Sequence, residues 1–236
     1  MSNRPKLGDR PTIPGYQEPK GSGSSIPVWA IVGAIAAVVV LAGVIALASS
    51  GGDEDTGGVD GNTSADGAPV SEFRPVEVEG AALSEFSGEP NNDDAIGQPA
   101  PVVSGANFVG DDVTVGEGPA MLVFGAHWCP HCQKEVPLLA QWIDGGLLPD
   151  GVSASLVSTA VKEQPNSNFP PSTWVADTGW NQPVLTDSAG SEAGAAYGLA
   201  GFPYFVFIDA DGNVARRASG ELSQQQVQEY LAEITP

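Results

Sequence analysis

Apolar residues in this chain occur in three kinds of run, and each predicts a different element. Ile26 to Ala48 passes without a single charge. As a helix it would be about 34 Å long, enough for a hydrocarbon core of about 30 Å. Further along come short runs that read as strands: Val113-Thr114-Val115, Ala120 to Ala126, Val152 to Thr159, Pro183 to Thr186, Tyr204 to Asp209 and Val214 to Ala218. Between them lie helical patterns over Pro130–Asp144, Ser172–Thr178, Ser191–Tyr197 and from Ser223 to about Ile234. In the first, Val136, Leu139, Trp142 and Ile143 share a face; in the last, Val227, Tyr230 and Leu231 do. Pro137 predicts a kink in the first, Asp211-Gly212 a hairpin turn, and Ser223 a helix cap. The alternation of strand and helix predicts an α/β domain with a central mixed sheet flanked by helices.

Polar stretches divide the rest. Residues 1–25 are broken by prolines and glycines and hold nothing to build a core, so they read as a disordered tail. Residues 49–94 read as a flexible acidic linker, in which Val76, Val78, Leu83 and Phe86 leave room for extra strands. The globular domain is expected over 95–236. Arg4, Lys6, Arg10 and Lys20 precede the apolar run, while no Lys or Arg follows it until Arg74. That asymmetry predicts a single-pass transmembrane helix over 26–48, with the N-terminus cytoplasmic and the domain extracytoplasmic at the cell membrane. A cleaved signal peptide is the rival, since Ala46-Leu47-Ala48 resembles a cleavage site. The run is longer than a usual signal-peptide core, which favours an uncleaved signal anchor. A net charge of −20 excludes a nucleic-acid partner held by phosphate contacts.

Candidate chemistry is concentrated in one place. His127-Trp128-Cys129-Pro130-His131-Cys132 contains both cysteines and both histidines of the chain. It falls where the strand over Ala120–Ala126 turns into a helix. Pro130 suits the first helical position, where its missing N–H costs no hydrogen bond. Cys129 and Cys132 are nearly one turn apart, so their sulfurs lie on one side within reach of disulfide geometry. The free N–H groups and partial positive charge of the helix start favour a nucleophilic thiolate at Cys129. These features point to disulfide exchange. A structural staple fits less well, because closing two residues restricts the unfolded chain little. A metal site remains the stronger rival, although the second ligand cluster that such half-sites need is missing from the sequence.

Together these residues resemble the thioredoxin superfamily, in particular its membrane-anchored TlpA-like thiol–disulfide oxidoreductases, over residues 95–236. Gly97-Gln98-Pro99-Ala100-Pro101 resembles the motif leading into that domain, and Trp128-Cys129-Pro130-His131-Cys132 resembles its W-C-x-x-C site. Gly201-Phe202-Pro203 with Asp209-Ala210-Asp211-Gly212 is similar to its G-x-P…D-x-x-G block. The resemblance implies a thioredoxin-like fold with a cis peptide before Pro203, and a client strand docking along Trp128, Phe202 and Pro203. It implies catalysis by Cys129 and Cys132 with no cofactor and no resident metal. It also implies two kinds of partner: client proteins with thiols or disulfides, and a membrane or extracytoplasmic redox partner that resets the pair. Val123 stands where thioredoxins have a buried Asp, and Glu135 where TlpA-like reductants often have a Glu.

The direction of exchange is divided between two expectations. Pro130-His131 matches the dipeptide of strong periplasmic oxidants. A hydrogen bond from His131 to the Cys129 sulfur would raise the potential above that of thioredoxin, about −270 mV. Glu135, on the Cys132 stripe of the helix, is expected to serve Cys132 as an acid–base group, and its charge pushes the potential the other way. An oxidant-leaning enzyme is therefore the first expectation. A reductant for haem-protein maturation and a metal-binding or metallochaperone module are the alternatives. His127, Trp142 and Trp174 read as rim or packing residues, and Arg216-Arg217 as a solvated strand edge.

Overall fold

The computed structural model describes residues 69–163 and 168–235. The apolar run over 26–48, the tail before it and the linker to residue 68 lie outside the described residues. Among the described residues no helix is long and apolar enough to cross a membrane.

Eight strands form one mixed sheet: β1 (Glu77–Glu79), β2 (Val102–Ala106), β3 (Asp112–Val115), β4 (Ala120–Gly125), β5 (Ser153–Ser158), β6 (Val184–Thr186), β7 (Tyr204–Ile208) and β8 (Val214–Ser219). Among the described residues four helices accompany them: α1 (Pro130–Asp144), α2 (Pro171–Asp177), α3 (Glu192–Ala196) and α4 (Gln224–Ile234). The path across the sheet is β1-β2-β6-β5-β4-β7-β8, with β3 also on β2. β4 runs parallel to β5 and antiparallel to β7, so it sits at the centre and is buried along its whole length. A strand covered on both faces reads as a continuous apolar run rather than an alternation, as Ala120–Gly125 does.

Its side chains nevertheless alternate between two cores. Met121, Val123, Phe205 and Phe207 point to one, where they meet Val136, Leu139 and Ile143 of α1, Trp174 of α2, and Val227 and Leu231 of α4. Leu122, Phe124, Tyr204, Val206 and Ile208 point to the other, with Ala193 of α3, Tyr197, and Leu83 and Phe86 from the amino-terminal segment. The bounds of α1 and the central strands match the apolar pattern. α4 is closed at its start by a reciprocal capping box between Ser223 and Gln226.

Three expectations change. Residues 69–94, expected as linker with room for extra strands, pack onto the domain: β1 forms within them, and Leu83, Phe86, Glu72 and Asp93 are buried. The Glu72 carboxylate accepts bonds from the Ser172 amide at 2.8 Å and hydroxyl at 2.7 Å, capping the start of α2 across 100 residues of sequence. β2 was not anticipated, because Val-Val-Ser-Gly-Ala offers a weak apolar signal and is held by β1, β3 and β6.

Arg217 is not on a solvated edge. Its side chain is fully buried, paired through two nitrogens with Asp93, and it donates to the carbonyls of Ser84 at 2.7 Å and Tyr197 at 3.1 Å. Arg216 lies at the surface side and holds Glu233 at 2.8 Å. The Arg217 fork therefore fastens the amino-terminal segment to β8 and to the end of α3.

Burial works against the Asp93 carboxylate, but bonds from Arg217 and from the Ala95 amide outweigh it and hold its pKa below the usual carboxylate range. A depressed carboxyl contributes stability above its unfolded pKa, near 3.9, that is lost as pH falls through the folded value. Arg217→Met, which leaves a buried carboxylate unpaired, should cost about 3–5 kcal/mol in urea unfolding at pH 7. The gap to the parent should narrow as pH falls, because the unpaired Asp93 of the variant, raised by burial, takes up its proton before that of the parent does.

Candidate active site

β4 delivers the chain to Ala126, and a tight turn follows in which the Cys129 amide donates to the Ala126 carbonyl at 2.9 Å. Cys129 is the N-cap of α1, with extended backbone (φ −80°, ψ 118°) and Pro130 next to it in the first turn. Its sulfur accepts the Cys132 amide at 3.5 Å, so the nucleophile candidate itself satisfies one of the free N–H groups of the helix start. Both cysteines are free thiols; Cys132 is wholly buried and Cys129 is 5% exposed. Pro137 lies inside α1 and cannot donate to the Gln133 carbonyl.

Burial pushes the Cys132 thiol far up; the Ala126 amide works the other way, and the neighbouring Cys129 and Glu135 push it up further. Glu135 is buried directly along the helix from Cys132. Its carboxyl is raised by burial, opposed by a hydrogen bond at 2.9 Å from the Leu222 amide, and raised further by the charge of Glu221. The sequence stripe thus puts Cys132 and Glu135 together, and the structure adds the Leu222 amide, which spacing along the chain does not reveal.

The turn before β7 reaches Trp128. The Phe202–Pro203 peptide is cis, and the Pro203 carbonyl accepts the Gly220 amide at 2.8 Å. Phe202 meets Trp128 edge to face, with ring centroids 5.7 Å apart. Trp128 is fixed by its indole N–H, which donates to the Ala160 carbonyl at 2.7 Å, and the Lys162 ammonium lies 3.5 Å from its ring centroid. Trp128 and Phe202 are therefore in ring contact, with Pro203 next in the chain, and Lys162 joins Trp128 from a loop that carried no signal.

Both histidines are placed differently from expectation. His127 is buried rather than on the rim; its Nε2 accepts the Lys162 amide at 3.2 Å and its ring meets Phe169 edge-on. His131 is exposed, but its Nδ1 lies 2.6 Å from Glu221 Oε1 and not against the Cys129 sulfur. Among the described residues no group of three or more His, Cys, Asp or Glu side chains converges as metal ligands would.

The model of a thioredoxin-like domain family matches residues 112–235, which takes in β3, β4, the cysteine pair and all four helices. The chain belongs to this family. Its thioredoxin-like domain is similar to proteins called thiol–disulfide oxidoreductase ResA. The one from Bacillus thuringiensis subsp. konkukian is 33% identical over 125 residues, 51% of this chain and 65% of that protein. The one from Bacillus anthracis is 32% identical over the same shares. The chain thus matches just under two thirds of the length of these relatives. Among solved structures, MTB DsbF in its mixed oxidized and reduced forms superposes with a TM-score of 0.44 at 27% identity, over 53% of this chain and 90% of that one.

The thioredoxin-like domain presents two thiols of very different environment. With Cys132 raised by burial, reduced protein treated with limiting iodoacetamide at pH 7 should carry the adduct on Cys129, read by peptide mapping. Equal labelling of the two sites would contradict the asymmetry.

Proposed function

We propose that this protein is a thiol–disulfide oxidoreductase that exchanges disulfides with client proteins through Cys129 and Cys132. The observation that carries the reading is the Cys129 sulfur capping α1 at 3.5 Å from the Cys132 amide, with the second thiol buried one turn behind. In the reducing direction the Cys129 thiolate attacks a client disulfide, forming a mixed disulfide and releasing one client thiolate. Cys132 then gives up its proton and attacks the Cys129 sulfur, which closes the intramolecular disulfide and releases the second client thiolate. Two electrons pass to the client, and the two thiolates take up protons.

Glu135 serves as the base for the Cys132 proton: a carboxyl raised by burial is matched to that transfer better than an ordinary surface Glu. A client strand lies along Phe202 and Pro203, with Trp128 and Lys162 forming the rim. The oxidant lean drawn from His131 required its ring at the Cys129 sulfur. With that ring on Glu221 and a buried Glu135 behind Cys132, the reductant reading becomes the better one. The names of the ResA relatives agree with exchange in general. A metallochaperone is disfavoured by the donor geometry, since His127 and His131 are both turned to other partners.

Trapping tests the exchange itself. Cys132→Ala should hold client as a mixed disulfide visible on non-reducing gels, and Cys129→Ala should hold none. Glu135→Gln with both cysteines intact should prolong the intermediate and remove the limb of the pH–rate profile above the usual Glu range, near 4.3. Capture by Cys129→Ala instead would exchange the two roles.

The proposal extends to location: a TlpA-like arrangement, with residues 26–48 as membrane anchor and the domain outside the cytoplasm, reset there by a separate redox partner. The charge asymmetry around residues 26–48 supports it. A membrane-impermeant maleimide should label Cys129 of the reduced protein in intact cells; labelling only after lysis would sink this topology.

A further inference from the structure

The loop that follows β8 touches the redox site with three successive residues. The Gly220 amide donates to the Pro203 carbonyl at 2.8 Å, and the Leu222 amide donates to Glu135 Oε1 at 2.9 Å. Between them, Glu221 sends its carboxylate to the outer side of α1, where Oε1 lies 2.6 Å from His131 Nδ1 and 3.7 Å from Lys134 Nζ. An exposed ion pair on free side chains contributes little because ordering it costs entropy. Here the backbone on either side of Glu221 is already anchored, so the carboxylate is presented at a set position. The first turn of α1 contains no acidic residue, and both His131 and Lys134 near its start answer to this one carboxylate from outside the helix.

We propose that Glu221 is a positioning residue that holds the His131 ring away from Cys129 and so keeps the reduction potential of the cysteine pair low. This deepens the thiol–disulfide reading and rests on it. Only the reduced form carries a thiolate, so a ring N–H or imidazolium directed at the Cys129 sulfur stabilises the reduced form and makes the disulfide a stronger oxidant. Among the described residues the hydrogen-bond partner of that sulfur is the Cys132 amide, while the His131 ring is committed to Glu221. The bond from His131 holds the Glu221 carboxyl below its ordinary range, with Lys134 adding to the effect, so the acceptor is ionised at neutral pH. The charged group in contact with the ring is thus Glu221 from the β8–α4 loop, and Lys134 of α1 shares that carboxylate from the same side.

The experiment measures the potential of the full chain in dithiothreitol redox buffers, counting free thiols by mass shift after alkylation. Glu221→Gln keeps the size and polarity of an exposed side chain and removes its charge. It should favour the reduced form roughly tenfold more, a rise of about 30 mV for this two-electron couple. In a His131→Ala background the same substitution should shift the potential little, because there is no ring to release. An unchanged or lower potential in Glu221→Gln overturns the proposal. So does an equal rise with His131 absent, which would mean that the carboxylate acts through space alone. If the parent protein forms no Cys129–Cys132 disulfide at any poise, the exchange reading and this inference both fall. If it titrates as one couple that Glu221→Gln does not move, only the role of Glu221 falls.

Discussion

A sulfur atom occupies the position where a helix needs an acceptor. The amides at the start of α1 have no carbonyl partners within the helix, and Cys129 answers one of them from the N-cap position. This works only if the preceding chain arrives in extended form at that point and cannot shift. β4 ensures it: the strand is buried on both faces, bonded to β5 and β7, and its alternating side chains are divided between two cores. Displacing the cysteine would mean moving the centre of the sheet. The cysteine pair therefore follows directly on a fully buried strand rather than sitting on a surface loop.

Around that fixed point the surroundings make the two thiols unequal. Cys129 sits at the helix end, whereas Cys132 is enclosed by the α1 core and backed by Glu135, and burial raises both of the latter groups. The Gly220–Leu222 loop then connects three parts of the site that lie far apart in sequence: the Pro203 turn, the buried face of α1 through Glu135, and its exposed face through His131 and Lys134. One short loop thereby links the segment proposed for client docking to the proposed acid–base group and to the residue between the cysteines.

The amino-terminal segment adds a second long-range dependence. Glu72 caps α2 and Asp93 neutralises Arg217, so residues 69–94 complete the domain instead of leading up to it. Scattered apolar residues at Leu83 and Phe86 hinted at packing, but nothing in the sequence distinguishes Asp93 and Glu72 from the other acids of an acidic stretch. A buried carboxylate is indistinguishable from an exposed one until its cation is found, and Arg217 lies 124 residues away from Asp93.

The elements that could be read from the chain are those whose signal is local. Continuous apolar runs marked β4 and β7, helical spacing marked α1 to its observed ends, and the Cys-x-x-Cys spacing marked the site, because sulfurs nearly one turn apart must share a face. The stripe from Cys132 to Glu135 followed from the same periodicity. What the chain could not reveal are contacts whose partners are set by the meeting of distant segments. His131 and Glu221 are 90 residues apart, and the ring's direction depended on which acceptor the β8–α4 loop presented there. His127 and Arg217 look like surface residues by type, yet burial follows from what covers a position, and that is decided only when the layers of the fold close over it.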